Sequence, residues 1–142
     1  MGDLLKQIQE FEESLRDNPE LYKKIILSSA CVIIVDIENG LIVHSTPAAE
    51  AVFGYEMVGE LKGKNINDII PERFHSAHAG HLKKYLEKPT KRLMGENPHG
   101  GNQIKLIGKT RDGIEFPVEL GLDPRKIFGH ACVVVTILKS RQ

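Results

Sequence analysis

The sequence predicts an α+β domain: a five-stranded, largely antiparallel sheet with helices on one face, preceded by an amphipathic flanking helix. Three observations lead there. Apolar residues recur at helical spacing near the start of the chain. Two β-branched segments joined by a glycine turn begin at Cys31, and three more strand-like segments follow residue 102. Between these groups lie several short helical stretches and one long one.

In chain order, Leu4, Ile8, Phe11 and Leu15 form a two-heptad apolar seam with Asp3 as N-cap. Such a seam either covers its own domain or meets the same seam of a second copy. Asn18-Pro19-Glu20 opens a second helix to about Ser28, so residues 1–24 are expected to be flanking, dimer-forming helices and residues 25–140 the domain proper. CVIIVDI, the Glu38-Asn39-Gly40 turn and LIVHS then predict a hairpin. Thr46-Pro47 starts a short helix that Gly54 stops, and residues 55–70 carry helical turns broken by Gly59 and Gly63. Pro71 opens the longest helix, ERFHSAHAGHLKKYLEK, which Pro89 closes. GENPHGGNQ is a loop. Strands follow from Gln103 to Thr110, along Ile114, Phe116, Val118, Leu120 and Leu122 on one sheet face, and over ACVVVTIL, which is apolar on both faces and so central.

Composition narrows the function. Lys plus Arg and Asp plus Glu both number 19, so no net field recruits nucleic acid or an anionic membrane. No apolar run approaches a transmembrane length, and no secretory signal opens the chain. Cys31 and Cys132 sit in apolar runs without a CxxC, which predicts buried thiols in the cytoplasm. Phosphate loops, HExxH and the Gly-x-Ser-x-Gly elbow are missing, and no nucleophile, base and orienting group come together, so no enzyme is expected.

Four motifs in the right order carry a resemblance. IIVDIENGLIVHSTPAAEAVFGY, GKNINDIIPERF, RFHSAHAGHLKKY and IGKTRDGIEFPVEL together resemble the PAS sensory domain family from about Ile25 to Lys139. The resemblance implies a five-stranded sheet closed by helices around a small-ligand pocket. It also implies a sensing or dimerising module attached to a signalling output domain or partner protein. No catalytic segment follows Gln142, so output is expected from elsewhere or through association.

Candidate ligands can be weighed on residues. The light-sensing flavin subclass needs a cysteine where Ile66 stands in Lys64-Asn65-Ile66-Asn67, and the scarcity of aromatics leaves little surface for flavin stacking. Haem is the more serious candidate, set against the plainer reading in which His78 is a core histidine that donates to a backbone carbonyl. Phe74, His78, Leu82 and Tyr85, spaced four, four and three, place His78 in the middle of an apolar stripe that must face the sheet. His78 also falls where RFHSAHAGHLKKY resembles the helix of haem-binding oxygen-sensor PAS domains that carries the proximal ligand, making it the metal ligand if haem binds. On the distal side the sequence departs from those domains: Ile104 and Glu96 stand where they place an arginine or a methionine. A zinc site from His75, His78 and His81 is disfavoured, because the outer two diverge by about 120° around the helix. His75 and His81 are expected as edge residues, and His99 and His130 as solvated turn residues. The expected pocket is lined by Phe74, His78, Leu82, Tyr85, Ile104, Leu106, Val133 and Val135, with His78 buried and neutral.

Overall fold

The computed structural model describes residues 31–89, 92–94, 106–127 and 129–140, with Glu13 and Glu20 as isolated helical positions. The seam Leu4, Ile8, Phe11 and Leu15 and the pocket candidate Ile104 lie outside the described residues, as do Glu96 and His99.

Strands β1 (Val32–Asp36) and β2 (Leu41–Ser45) form the predicted hairpin. Gly40 closes it at φ +70°, a left-handed conformation that glycine adopts without a Cβ penalty, and donates its N–H to the Asp36 carbonyl at 2.8 Å. Thr46 then caps helix α1 (Pro47–Val52) as expected. Its hydroxyl accepts the Ala49 N–H at 3.3 Å and the Val32 N–H at 3.0 Å, so one side chain starts the helix and anchors β1. From α1 the buried carboxylate of Glu50 accepts the N–H groups of Gly59 at 3.0 Å and Leu61 at 2.9 Å. Those two bonds hold the 55–63 segment against the body, since an unpaired carboxylate there would be costly. Short 3₁₀ turns at Ile66–Ile69 and Glu72–Phe74 lead into helix α2 (His75–Glu87).

The sheet continues with β3 (Arg92–Met94), β4 (Leu106–Lys109), β5 (Glu115–Ile127) and β6 (His130–Ser140), all neighbours antiparallel. Strand order is β2-β1-β6-β5-β3, with β4 also on β5, so β6 is central as its two-sided apolar pattern requires. The five expected strands are present. Strand β3 is an addition: β5 is long enough to pair β4 through residues 115–118 and β3 through residues 120–122 on the same edge.

The Arg111-Asp112-Gly113 turn forms as predicted, with Gly113 at φ +86° donating to the Thr110 carbonyl at 2.9 Å. One member of the predicted strand face does not belong to it. Ile114 is 62% exposed, because Thr110 takes its N–H on Oγ1 and donates its own N–H to the Ile114 carbonyl, which keeps Ile114 in the turn. Phe116 and Val118 are buried, and Leu120 and Leu122 are half-buried on the same face. His130 begins β6 rather than lying in a turn, with Nδ1 3.9 Å from the buried Asp36 carboxylate.

Alternation splits the core in two. Ile33, Val35, Phe116, Val133 and Val135 face the helices, whereas Val32, Ile34, Val43, Ile127, Cys132 and Val134 form a second buried cluster on the opposite face. Cys132 sits in that second cluster, where burial first and the nearby Asp36 carboxylate second push its thiol up to about 12. Cys31 is only half-buried, and burial raises its thiol as well; both cysteines are free.

Candidate functional site

Helix α2 carries Phe74 at its N-cap and His78, Leu82 and Tyr85 along the side facing the sheet, as the spacing requires. Between α2 and the sheet lies a cavity of about 270 Å³. Phe74, His78, Leu82, Tyr85, Leu106, Val133 and Val135 all border it, so the structure brings together seven of the eight anticipated lining residues. Tyr85 is buried, Leu82 and Leu106 are half-buried, and Phe74 is 37% exposed, forming part of the mouth.

Other lining groups were not anticipated. Phe53 reaches the cavity from the end of α1, and Ile66, Ile69 and Ile70 from the 3₁₀ segment. The β5 alternation already pointed Val118, Leu120 and Leu122 this way; no local pattern singles out Phe53. Gly108 in β4 also lines the wall, and a Cβ there would come within 3.1 Å of both Phe116 Cζ and Phe53 Cε1. Those two rings pack with centroids 5.6 Å apart, and the missing side chain is what lets them meet beneath β4.

The histidines separate into three roles. The ring of His75 is a tie rather than an idle edge: Nε2–H points at the carbonyls of Asn67 (2.9 Å) and Ile70 (2.7 Å), holding the start of α2 to the 3₁₀ segment. His81 borders the cavity from an exposed position. His78 is half-buried, with Nδ1 sequestered from solvent and without a hydrogen-bond partner among the described residues. Burial holds its pKa below the usual imidazole value, and His81 and His75 lower it further, so the ring is neutral at pH 7. No three His, Cys, Asp or Glu side chains among the described residues converge to hold a metal ion.

The apolar wall and the accessible side of His78 would suit iron ligation through Nε2, but a space of about 270 Å³ does not hold a haem unless the walls move apart. The outer shell does not suit it. A metal-ligating imidazole ordinarily passes its other N–H to a carboxylate or carbonyl, and no described residue accepts from His78 Nδ1.

Comparison with known proteins agrees with the architecture. Over 116 residues, 80% of this chain, the sequence is 29% identical to the sensor protein FixL of Bradyrhizobium diazoefficiens, and it spans about a fifth (21%) of that protein's length. The PAS domain of nitrogen regulation protein NR(II) from Vibrio parahaemolyticus superposes with a TM-score of 0.57 at 16% identity, covering 78% of this chain and 89% of that one. A PAS domain of the Cronobacter turicensis quorum-sensing receptor RpfR, in complex with C12:0, gives 0.53 at 14% identity, with 78% and 92% coverage. At these identities the structural likeness is one of fold. The sequence model for the PAS fold matches residues 20–125, well over half of the chain: this chain belongs to the PAS family.

Proposed function

We propose that this chain is the sensory and association module of a cytoplasmic signal-transduction protein, not an enzyme, and that it binds a small organic ligand in the cavity between α2 and the sheet. The observation that carries the reading is the cavity itself: about 270 Å³ with almost wholly apolar walls, at a place where a close-packed core would leave no such space. Similarity to a sensor protein and to a nitrogen regulation protein supports the signalling part, and the receptor solved with C12:0 supports an organic occupant. Occupancy would be relayed to an output domain or partner protein through the N-terminal seam, which would also join two copies. No helix among the described residues is long and apolar enough to cross a membrane.

Haem stands as the second reading, on the placement of His78 alone. Absorption spectroscopy and native mass spectrometry of the purified chain separate the two. A colourless protein that retains or takes up an organic molecule fits the first reading. A Soret band that disappears in His78→Ala selects the second. Absence of both a chromophore and any small-molecule binding overturns the sensory reading of the cavity.

A further inference from the structure

The cavity wall is selective in its chemistry. Among its described lining residues none is Lys, Arg, Asp or Glu, and the polar side chains are His78, His81 and Tyr85. Tyr85 is buried and already engaged within the fold, and His81 stands out at the exposed rim. Arg73 stacks on the mouth residue Phe74, but its guanidinium is held by Glu115 in a two-pronged ion pair. An anion drawn into this space would therefore find no counter-charge among the described residues, and burying it costs far more than burying an alcohol that keeps one hydrogen bond.

One polar group on the cavity wall is without a partner among the described residues. The His78 ring makes no hydrogen bond to any described residue, and whereas Nδ1 is sequestered, Nε2 is not. No described residue fixes which nitrogen holds the proton, so Nε2 can donate or accept. A hydroxyl can answer either way. At about 30 Å³ per water-sized unit, 270 Å³ holds a molecule of about nine heavy atoms.

We propose that the cavity takes an uncharged amphiphile of that size, whose single hydroxyl bonds to His78 Nε2 while its chain lies against Leu106, Val118, Leu120 and Ile137, and that it rejects the corresponding carboxylate. This rests on the cavity-sensor reading above. The bound head group thus reports neutrality.

Isothermal titration calorimetry of the full chain at pH 8, where octanoate is ionised, compares 1-octanol with octanoate. The expected result is that 1-octanol binds at least about tenfold more tightly. His78→Leu should weaken 1-octanol by about tenfold, the loss of one hydrogen bond, and His78→Gln should recover most of it, with circular dichroism confirming that both variants fold. Octanoate binding as tightly as 1-octanol, or an unchanged 1-octanol affinity in folded His78→Leu, overturns this inference alone. Binding of neither compound overturns it together with the small-ligand reading.

Discussion

Arg73 and Glu115, 42 residues apart, meet in a two-pronged ion pair: Nη1 to Oε2 at 2.7 Å and Nη2 to Oε1 at 2.6 Å. The pair joins the turn that opens α2 to the first residue of β5, and the same guanidinium lies 4.5 Å from the centre of the Phe74 ring at the cavity mouth. Both partners are exposed, so the pair is expected to position the mouth more than to stabilise the fold.

That arrangement has a pH signature. The hydrogen bonds from Arg73 hold the Glu115 carboxyl below its usual value. Its stabilisation is therefore present above the ordinary carboxylate pKa and is lost as pH falls through the depressed one. Urea midpoints measured from pH 6 down to pH 3 should fall slightly more steeply in wild type than in Glu115→Gln, and high salt should reduce the difference. Parallel curves would show that the pair contributes nothing to stability.

Phe116 is the largest side chain sealed in the core, and its ring supports both Phe53 and the β4 backbone at Gly108. Phe116→Ala should cost about 3–5 kcal/mol in chemical unfolding, the usual range for emptying a buried aromatic site. A loss under about 1 kcal/mol would mean that the ring is not packed as described.

His78 should make acid destabilising. Its folded pKa is lowered, chiefly by burial, so the unfolded chain binds the proton more readily. Stability is then full above the ordinary imidazole value of about 6.5 and declines as pH falls through the depressed one. His78→Gln should flatten the part of the stability curve between pH 7.5 and 5. In a ring-proton NMR titration His78 should titrate below the ordinary value, and a midpoint above it would contradict the burial argument.

Association is expected through the N-terminal seam. Leu4, Ile8, Phe11 and Leu15 would leave four large apolar side chains in water on a free helix, and each is worth ~1.5–3 kcal/mol when buried. Removing residues 1–17 should convert a dimer to a monomer in light scattering. An unchanged mass after truncation would place the contact elsewhere.

Sequence alone determined whatever depends on near neighbours along the chain. The hairpin at Gly40, the Thr46 cap and the Thr110–Gly113 turn each rest on a residue type whose hydrogen bond or left-handed backbone is satisfied within a few positions. The stripe of Phe74, His78, Leu82 and Tyr85 was legible for the same reason, because helical spacing puts these residues on one side whatever lies opposite. Tertiary structure decided the rest. Arg92–Met94 becomes a strand only because β5 runs 13 residues and leaves an unpaired edge beyond β4. Ile114 continues the apolar alternation in sequence, yet two hydrogen bonds exchanged with Thr110 keep it in the turn. His75 and His78 are three residues apart on one helix. The first finds two carbonyls and becomes a clasp, while the second borders a cavity and its Nδ1 has no hydrogen-bond partner among the described residues. That difference depends on where residues 66–70 fold back against the helix, and no spacing rule along the chain contains it.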